Sequence, residues 1–310
     1  MFISVVIPTY NRKPILEKCL NALESQLLNS SIEDYEVIVV DDGSTDGTPT
    51  WLRHERAKFP HVRLVEQKHA GPAEGRNRGV SQSRGEVIVF IDSDLVVTKT
   101  FLSSHVKTLT RSWRSQADRL CFTYGAVINT ANFDNPTSEP HKLQDLSWAY
   151  FATGNVAIDK EVLKSSGLFD TAFCLYGWED LELGERLRKM GVKLVKCPQA
   201  VGYHWHPPLS LDQIPLLVKV ERERAKMGLV FFKKHPTLRV RFIIQYTWLH
   251  LFLWEVLTLR GFINERSLRP LLALLIRKGH PGLAMELLRI PLNLFGVRAI
   301  YKEASIRGIR

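Results

Sequence analysis

The chain has 310 residues, 45% of them hydrophobic and 24% charged, with a formal net charge of +10. That length can bury a full core, and the ordinary composition excludes a disordered, collagenous or low-complexity chain. Four widely spaced cysteines with no CxxC pair indicate neither a disulfide framework nor a zinc site, and a reducing cytoplasm is the simplest setting expected.

The charge is lopsided. Residues 211–310 hold 18 Lys/Arg against 7 Asp/Glu, whereas residues 1–210 hold 24 against 25. A domain over 1–210 followed by a basic extension over 211–310 is therefore expected. The N-terminus runs straight into an apolar stretch with neither a basic n-region nor a small-residue cleavage site, so no export signal is expected.

The first predicted strand, residues 3–7, exits into Pro8-Thr9-Tyr10-Asn11-Arg12. Pro14 suits the first turn of a helix, and Leu16, Leu20, Leu23 and Leu27 recur at the spacing of a stripe packed on a sheet. A second buried strand, 36–40, exits into Asp41-Asp42-Gly43-Ser44-Thr45-Asp46, where Asp46 can cap the next helix. A helix over 48–58, a strand over 62–65 and a helix over 73–83 lead to a strand over 87–91. This last strand is five apolar residues long and reads as buried on both faces.

Asp92 and Asp94 follow it, and alternation in an extended chain points them the same way. Two like charges held together call for a positive guest, and a hard divalent cation bridging to phosphate oxygens fits. Strand–helix–strand at this spacing predicts right-handed βαβ units, a parallel sheet and a ligand crevice at the carboxyl ends of the strands. No GxGxxG follows the first strand, which argues against a dinucleotide-binding enzyme.

Further on, a strand is expected over 120–128 and a polar loop over 131–146. Gly154-Asn155 then bends into an apolar strand, and a glycine there permits close backbone approach to a ligand. Tyr176-Gly177-Trp178-Glu179-Asp180 opens a helix whose face is marked by Leu183, Leu187 and Met190, with Glu182/Arg186 and Glu185/Lys189 as i, i+4 pairs. Glu179 and Asp180 fall in its first turn, where acids meet the helix dipole favourably. An aromatic face such as Trp178 can also stack on a sugar, with a carboxylate beside it taking a proton from a hydroxyl. After a short strand over 193–196 come His204 and His206.

Four of these segments, taken jointly, carry a resemblance. Val6-Ile7-Pro8-Thr9-Tyr10-Asn11-Arg12, Val40-Asp41-Asp42-Gly43-Ser44-Thr45-Asp46, Gly71 with Arg76-Asn77-Arg78-Gly79, and Ile91-Asp92-Ser93-Asp94 resemble the motifs of the family 2 inverting glycosyltransferases in order and spacing. The resemblance covers roughly residues 1–205. Gly75 stands where the family commonly has alanine. It implies an α/β, Rossmann-like GT-A fold with a mixed, mainly parallel sheet, here with a C-terminal helical extension.

The resemblance also implies a donor site built from Pro8, Thr9, Tyr10, Arg12, Asp42, Arg76, Asp92 and Ser93. In it Asp42 would lie on the base, Arg76 near base or phosphates, and Asp92 at ribose or metal. Asp94 would be the direct metal ligand, joined by a histidine, His204 or alternatively His206. Gly154 and Asn155 would lie near sugar and acceptor. Gly177-Trp178-Glu179-Asp180 is similar to the acidic element of bacterial members and of related galactosyl- and N-acetylgalactosaminyltransferases, which implies Asp180 as base and Glu179 in the acceptor site. The cofactor implied is Mn²⁺ or Mg²⁺, with imidazole favouring Mn²⁺ somewhat.

The expected partners are a nucleotide-sugar, most simply a UDP-sugar, and a glycan, lipid-linked or protein hydroxyl. No zinc, helix-turn-helix or RNA-binding signature points to nucleic acid. A silent nucleotide-sugar-binding protein of the same fold is the alternative of another class.

From Leu211 helical patterns run to the end, and 242–259 is nearly all apolar but broken by Gln245, Thr247, His250, Glu255 and Thr258. Such a run is a poor membrane span. Trp248, Trp254 and Tyr246 suit a headgroup zone, and clustered Arg/Lys suit anionic lipid, so either peripheral contact with the cytoplasmic membrane face or an ordinary helical appendage with a solvated basic side is expected.

Overall fold

The computed structural model describes residues 1–113, 119–140 and 150–309. They divide into two compact units, Met1–Cys174 with Glu179–His206, and Leu175–Trp178 with Pro207–Arg310.

In the first unit, β1 (Phe2–Thr9), α1 (Lys13–Glu24), β2 (Asp34–Asp41), α2 (Thr48–His54), β3 (Val62–Glu66), α3 (Pro72–Gln82) and β4 (Val87–Ile91) follow one another as βαβ units. Then come β5 (Leu95–Val97), α4 (Phe101–Ser112), β6 (Cys121–Thr130), β7 (Asn155–Asp159), α5 (Lys160–Ser165), α6 (Glu179–Lys189) and β8 (Lys193–Trp205). They form one sheet in the order β3-β2-β1-β4-β7-β6-β8-β5. β3, β2, β1 and β4 are mutually parallel, β7 runs antiparallel to both its neighbours, and β5 is antiparallel to β8.

Alternation along the strands explains why both faces are covered. Ile3, Val5 and Ile7 point to one side, where Leu16, Leu20 and Leu23 of α1 meet them. Val6, Ile88 and Phe90 point to the other, against Ala73 and Val80 of α3 and Leu183 and Leu187 of α6. All of these side chains are buried, each contributing on the order of 1.5–3 kcal/mol for the larger ones. Every parallel strand thus ends with its carboxyl terminus on one side of a fully packed slab.

Several elements differ from the sequence pattern. α1 ends at Glu24, so Leu27 does not extend its stripe and is 60% exposed. α2 stops at His54, short of 58. Met190 lies beyond the end of α6 and is exposed. The three-residue β5 and the amphipathic α4 had no sequence expectation. β8 runs far past residue 196, because Pro198, which reads as a stop, sits in a bulge between the pairs Gly125↔Cys197 and Ala126↔Val201. Of the polar loop expected over 131–146, residues 141–146 lie outside the described residues.

The second unit holds α7 (Ile214–Lys234), α8 (Leu238–Ile243), α9 (Trp248–Leu257), α10 (Glu265–Arg277) and α11 (Pro281–Ile306). Its core gathers Leu209, Ile214, Leu272, Ala284, Leu288 and Leu292. The apolar run 242–259 is broken by a turn at Gln245, whose φ is 59°. Tyr246 is buried and its hydroxyl donates to the Ile309 carbonyl, so it is not the headgroup-facing residue the sequence suggested. Among the described residues, no helix is long and apolar enough to cross a membrane.

Candidate active site

The exits of β1 and β2 are tied into one rim. Asn11, held at φ 52°, accepts from the Thr45 amide (2.7 Å) and donates its own amide to Ser44 Oγ (2.9 Å). Asp46 accepts from the amides of Thr48 and Lys13, which makes it a structural cap at the heads of α2 and α1. Thr9 is buried, and its hydroxyl has no hydrogen-bond partner; Pro8 lies beside it at the end of β1.

Asp42 is engaged by the loop after β3. Oδ1 accepts from Gln67 Nε2 (2.7 Å) and the Ala70 amide (2.8 Å), and Oδ2 lies 3.0 Å from the Gly71 amide and 2.9 Å from His69 Nδ1. Three of these are hydrogen bonds to the carboxylate, while His69 Nδ1 also meets the Asp42 backbone carbonyl at 3.2 Å. Asp42 therefore organises the loop that launches α3. Gln67 Oε1 is buried without a partner, and His69 lies 4.5 Å from the half-exposed Tyr10 ring. Sequence reasoning missed Gln67 and His69. The signal was available, since they follow β3, a fourth strand end on the same side of the sheet.

β4 delivers Asp92 and Asp94. Asp94 is buried, receives Arg12 Nη1 on Oδ2 (2.6 Å) and His204 Nε2 on Oδ1 (2.9 Å), and so unites three distant segments. Burial alone would raise the Asp94 carboxyl, but the hydrogen bond and charge of His204 and the charge of Arg12 hold it below the usual range. His204 is correspondingly raised: burial opposes its charged form, and Asp94 outweighs burial. The choice between the histidines follows from register. β8 places His204 opposite Leu95, next to Asp94, whereas His206 reaches Asn129 Oδ1 at 3.2 Å.

Arg12 thus binds Asp94 directly. Ser93 is buried, with its carbonyl accepting from the Cys19 thiol beneath. Gly154 comes close to Asp92: a Cβ there would lie 3.1 Å from Asp92 Oδ2.

One oxygen of Asp92, one of Asp94 and a ring nitrogen of His204 lie within 4.8 Å of one another. Two hard carboxylates and one imidazole make a donor set suited to a divalent ion such as Mn²⁺ or Mg²⁺. The residues present fit such an ion.

Arg76, expected near base or phosphate, is buried and donates to Glu179 Oε1 (2.9 Å) and Asp92 Oδ1 (3.2 Å). It ties α3 to the head of α6 and to the aspartates. Its Nε and Glu179 Oε2 are buried without partners. Asp180, the next residue, is only partly exposed and accepts from the Leu181 amide (2.7 Å). Burial first, then the Glu179 charge, push its carboxyl up to about 7, with Arg76 opposing. An acid poised there can exchange a proton near neutrality.

One expectation fails on geometry. Asn155 is fully buried: its Oδ1 accepts from His105 Nε2 (2.8 Å), and its Nδ2 donates to the carbonyls of Ala126 and Ala200 (3.0 Å each). It fills the space at Gly125, where a Cβ would sit 2.4 Å from its side chain, and burial keeps His105 neutral with a pKa of about 4. Asn155 is a bolt between strands, not a sugar ligand. Trp178 belongs to the second unit, where its Nε1 donates to the Arg224 carbonyl (2.7 Å) and the Arg224 guanidinium lies 5.0 Å from its ring centroid. The guanidinium thus lies over one face of the ring.

An α/β sheet whose parallel strand ends gather acids, a histidine and unpaired polar atoms fits the GT-A class of glycosyltransferases. The chain belongs to glycosyl transferase family 2, whose model matches residues 4–165. It is 30% identical over 206 residues to glycosyltransferase AglE of Haloferax volcanii, covering 66% of each chain. It is 28% identical over 243 residues to the chondroitin synthase of Pasteurella multocida, covering 66% of this chain and 25% of that one. The match thus spans just under two thirds of the first relative and a quarter of the second.

Among solved structures, the mannosyltransferase PcManGT of Pyrobaculum calidifontis, in complex with GDP-Man and Mn²⁺, aligns over 96% of this chain and 85% of its own at TM-score 0.60 and 21% identity. Residues 1–349 of S. aureus TarS, in complex with UDP, align over 99% of this chain and 92% of that one at TM-score 0.52 and 17% identity. Likeness at that identity supports the fold.

Proposed function

We propose that this glycosyltransferase moves a sugar from a nucleotide-sugar, a UDP-sugar in the simplest case, to an acceptor hydroxyl in glycan or polysaccharide assembly, with inversion at the anomeric carbon. The observation that carries the reading is the convergence of Asp92, Asp94 and His204 on one point, with Arg76 linking Asp92 to the acids at the head of α6. The solved neighbours with UDP and with GDP-Man and Mn²⁺ support a nucleotide donor.

Asp92, Asp94 and His204 would hold a Mn²⁺ or Mg²⁺ ion, which when bound supplies Lewis-acid neutralisation of the donor's diphosphate. Thr9 Oγ1 and Gln67 Oε1, both buried and unpaired, offer hydrogen bonds to the nucleoside, with the Tyr10 ring beside them. Gly154 leaves room for the sugar next to Asp92. Asp180 takes the proton from the acceptor hydroxyl as its oxygen attacks the anomeric carbon; the bond to the diphosphate breaks on the opposite face. Glu179, held by Arg76, keeps the Asp180 carboxyl basic. One displacement turns an α-linked donor into a β-glycoside, and no enzyme nucleophile takes part.

The test is a panel of nucleotide-sugars with Mn²⁺ and simple acceptors, followed by nucleotide release and by the anomeric proton coupling of the product. Asp180→Asn is expected to lower turnover by about 10²–10⁴-fold, the usual worth of a general base. Undiminished turnover in that variant, or a product retaining the donor's configuration, would overturn the mechanism.

A further inference from the structure

The second unit carries an apolar surface that the chemistry of the first does not use. α9 has no buried residue at all. Trp248, Leu249, Phe252, Leu253, Val256 and Leu257 are all exposed, Trp248 at 74% and Phe252 at 61%. At 100° per residue these positions sweep half the helix circumference. The turn that follows adds Phe262, exposed at 81%.

The polar groups of α9 lie on its other half and are spoken for. Glu255 is held by Arg298 at 2.8 Å, and Trp254 Nε1 donates to Gln245 Oε1 at 2.8 Å. A helix that turns its polar side inward and its apolar side outward is the inverse of a water-facing helix. Contiguous apolar exposure of this kind marks an interaction surface.

The rim of that surface indicates its partner. A hollow of about 700 Å³ beside α9 is bounded by Trp248, Phe252, Val256, Leu259, Arg260 and Glu255, whose charge is met by Arg298, and a neighbouring hollow joins Phe262 to Arg266. Residues 238–278 carry seven Arg/Lys and two acids, Glu255 and Glu265, neither of them fully exposed. The partner must therefore offer apolar depth bordered by negative charge. Ten helical residues span about 15 Å, half of a bilayer core, so the helix lies in the membrane plane and does not cross it.

We propose that α9 and the Phe262 turn dock into the interfacial zone of an anionic lipid bilayer, with Arg260 and Arg266 at the level of the lipid phosphates. The aromatic side chains Trp248, Phe252 and Phe262 enter the boundary between headgroups and acyl chains.

The experiment floats the full chain with vesicles of phosphatidylcholine alone and with 30% phosphatidylglycerol, in parallel with light-scattering measurement of its mass without lipid. Binding to anionic vesicles is expected to exceed that to neutral ones by at least tenfold and to weaken several-fold between 0.1 and 0.5 M salt. Phe252→Glu with Phe262→Glu should lower it at least tenfold further. Leu27→Glu, at an exposed apolar position of the first unit, should leave it unchanged. Circular dichroism checks that each variant folds, and the lipid and salt comparisons on the unsubstituted chain stand independently of any variant. Absence of wild-type flotation on anionic vesicles, or equal flotation of the double variant, would overturn the proposal. So would a wild-type dimer that the double substitution dissociates without any lipid binding.

Discussion

Replacing Asp180 by asparagine separates the cost of holding a catalytic acid from its use. The carboxyl is raised from 3.8 to about 7, mainly by burial and then by Glu179. At about 1.36 kcal/mol per unit, its ionised form costs the fold about 4 kcal/mol at pH 8 as a ceiling. The sign follows from linkage. The folded value lies above the unfolded one, so the folded protein holds a proton that the unfolded chain has released. Stability tied to that proton is complete below about pH 4 and is lost as pH rises through about 7. Asparagine has nearly the same shape, can still accept from the Leu181 amide and does not titrate. Asp180→Asn is therefore expected to be more stable than the wild type by roughly 2–4 kcal/mol at pH 8 and by less than half of that at pH 5, while losing turnover. Urea unfolding at both pH values reads this as a shift in midpoint at constant slope. A midpoint at pH 8 equal to or below that of the wild type would refute the reasoning.

Three other outcomes follow from the same geometry. Arg12→Ala frees Asp94 Oδ2 from a guanidinium that an incoming cation must displace. Because Arg12 is half-exposed, the pair is worth at most about 1 kcal/mol, so calorimetry should show Mn²⁺ binding up to about fivefold tighter. Unchanged or weaker binding would count against competition at Asp94. Arg76→Met strips the counter-ion from a buried Glu179 and should cost about 3–5 kcal/mol in urea unfolding, nearer the lower figure because Asp92 is partly in water. Asn155→Ala leaves His105 Nε2 without its acceptor and removes the side-chain amide from two strand carbonyls, at about 1–3 kcal/mol. If Asn155 is a bolt and not a sugar ligand, the Michaelis constants of the folded variant should stay at wild-type values; a large rise in the donor constant would restore its ligand role.

What could be read in the chain was local. The apolar runs at 3–7, 36–40 and 87–91 can only be strands buried on both faces, and the polar clusters after them must then share one end of the sheet. What could not be read depended on partners remote in sequence. Asn155 is as polar as a ligand would be, and only the gap at Gly125 and the placement of His105 make it structural. His204 and His206 are alike in sequence, and the antiparallel register of β5 on β8 separates them. Asp42 carries a motif, but its grip on the loop after β3 runs largely through backbone amides that any sequence could supply. α9 read as a broken apolar run; the outward turn of its apolar half depends on Arg298 and Gln245 pinning the other side.

The most direct measurement is a crystal grown with Mn²⁺ and UDP, with anomalous differences collected at the manganese edge. A single manganese peak is expected, liganded by Asp94 and His204 and sharing the UDP diphosphate, with Arg12 moved away from Asp94 Oδ2. A manganese peak elsewhere, with Arg12 still on Asp94 and the nucleotide remote from the exits of β1, β2 and β4, would contradict the site.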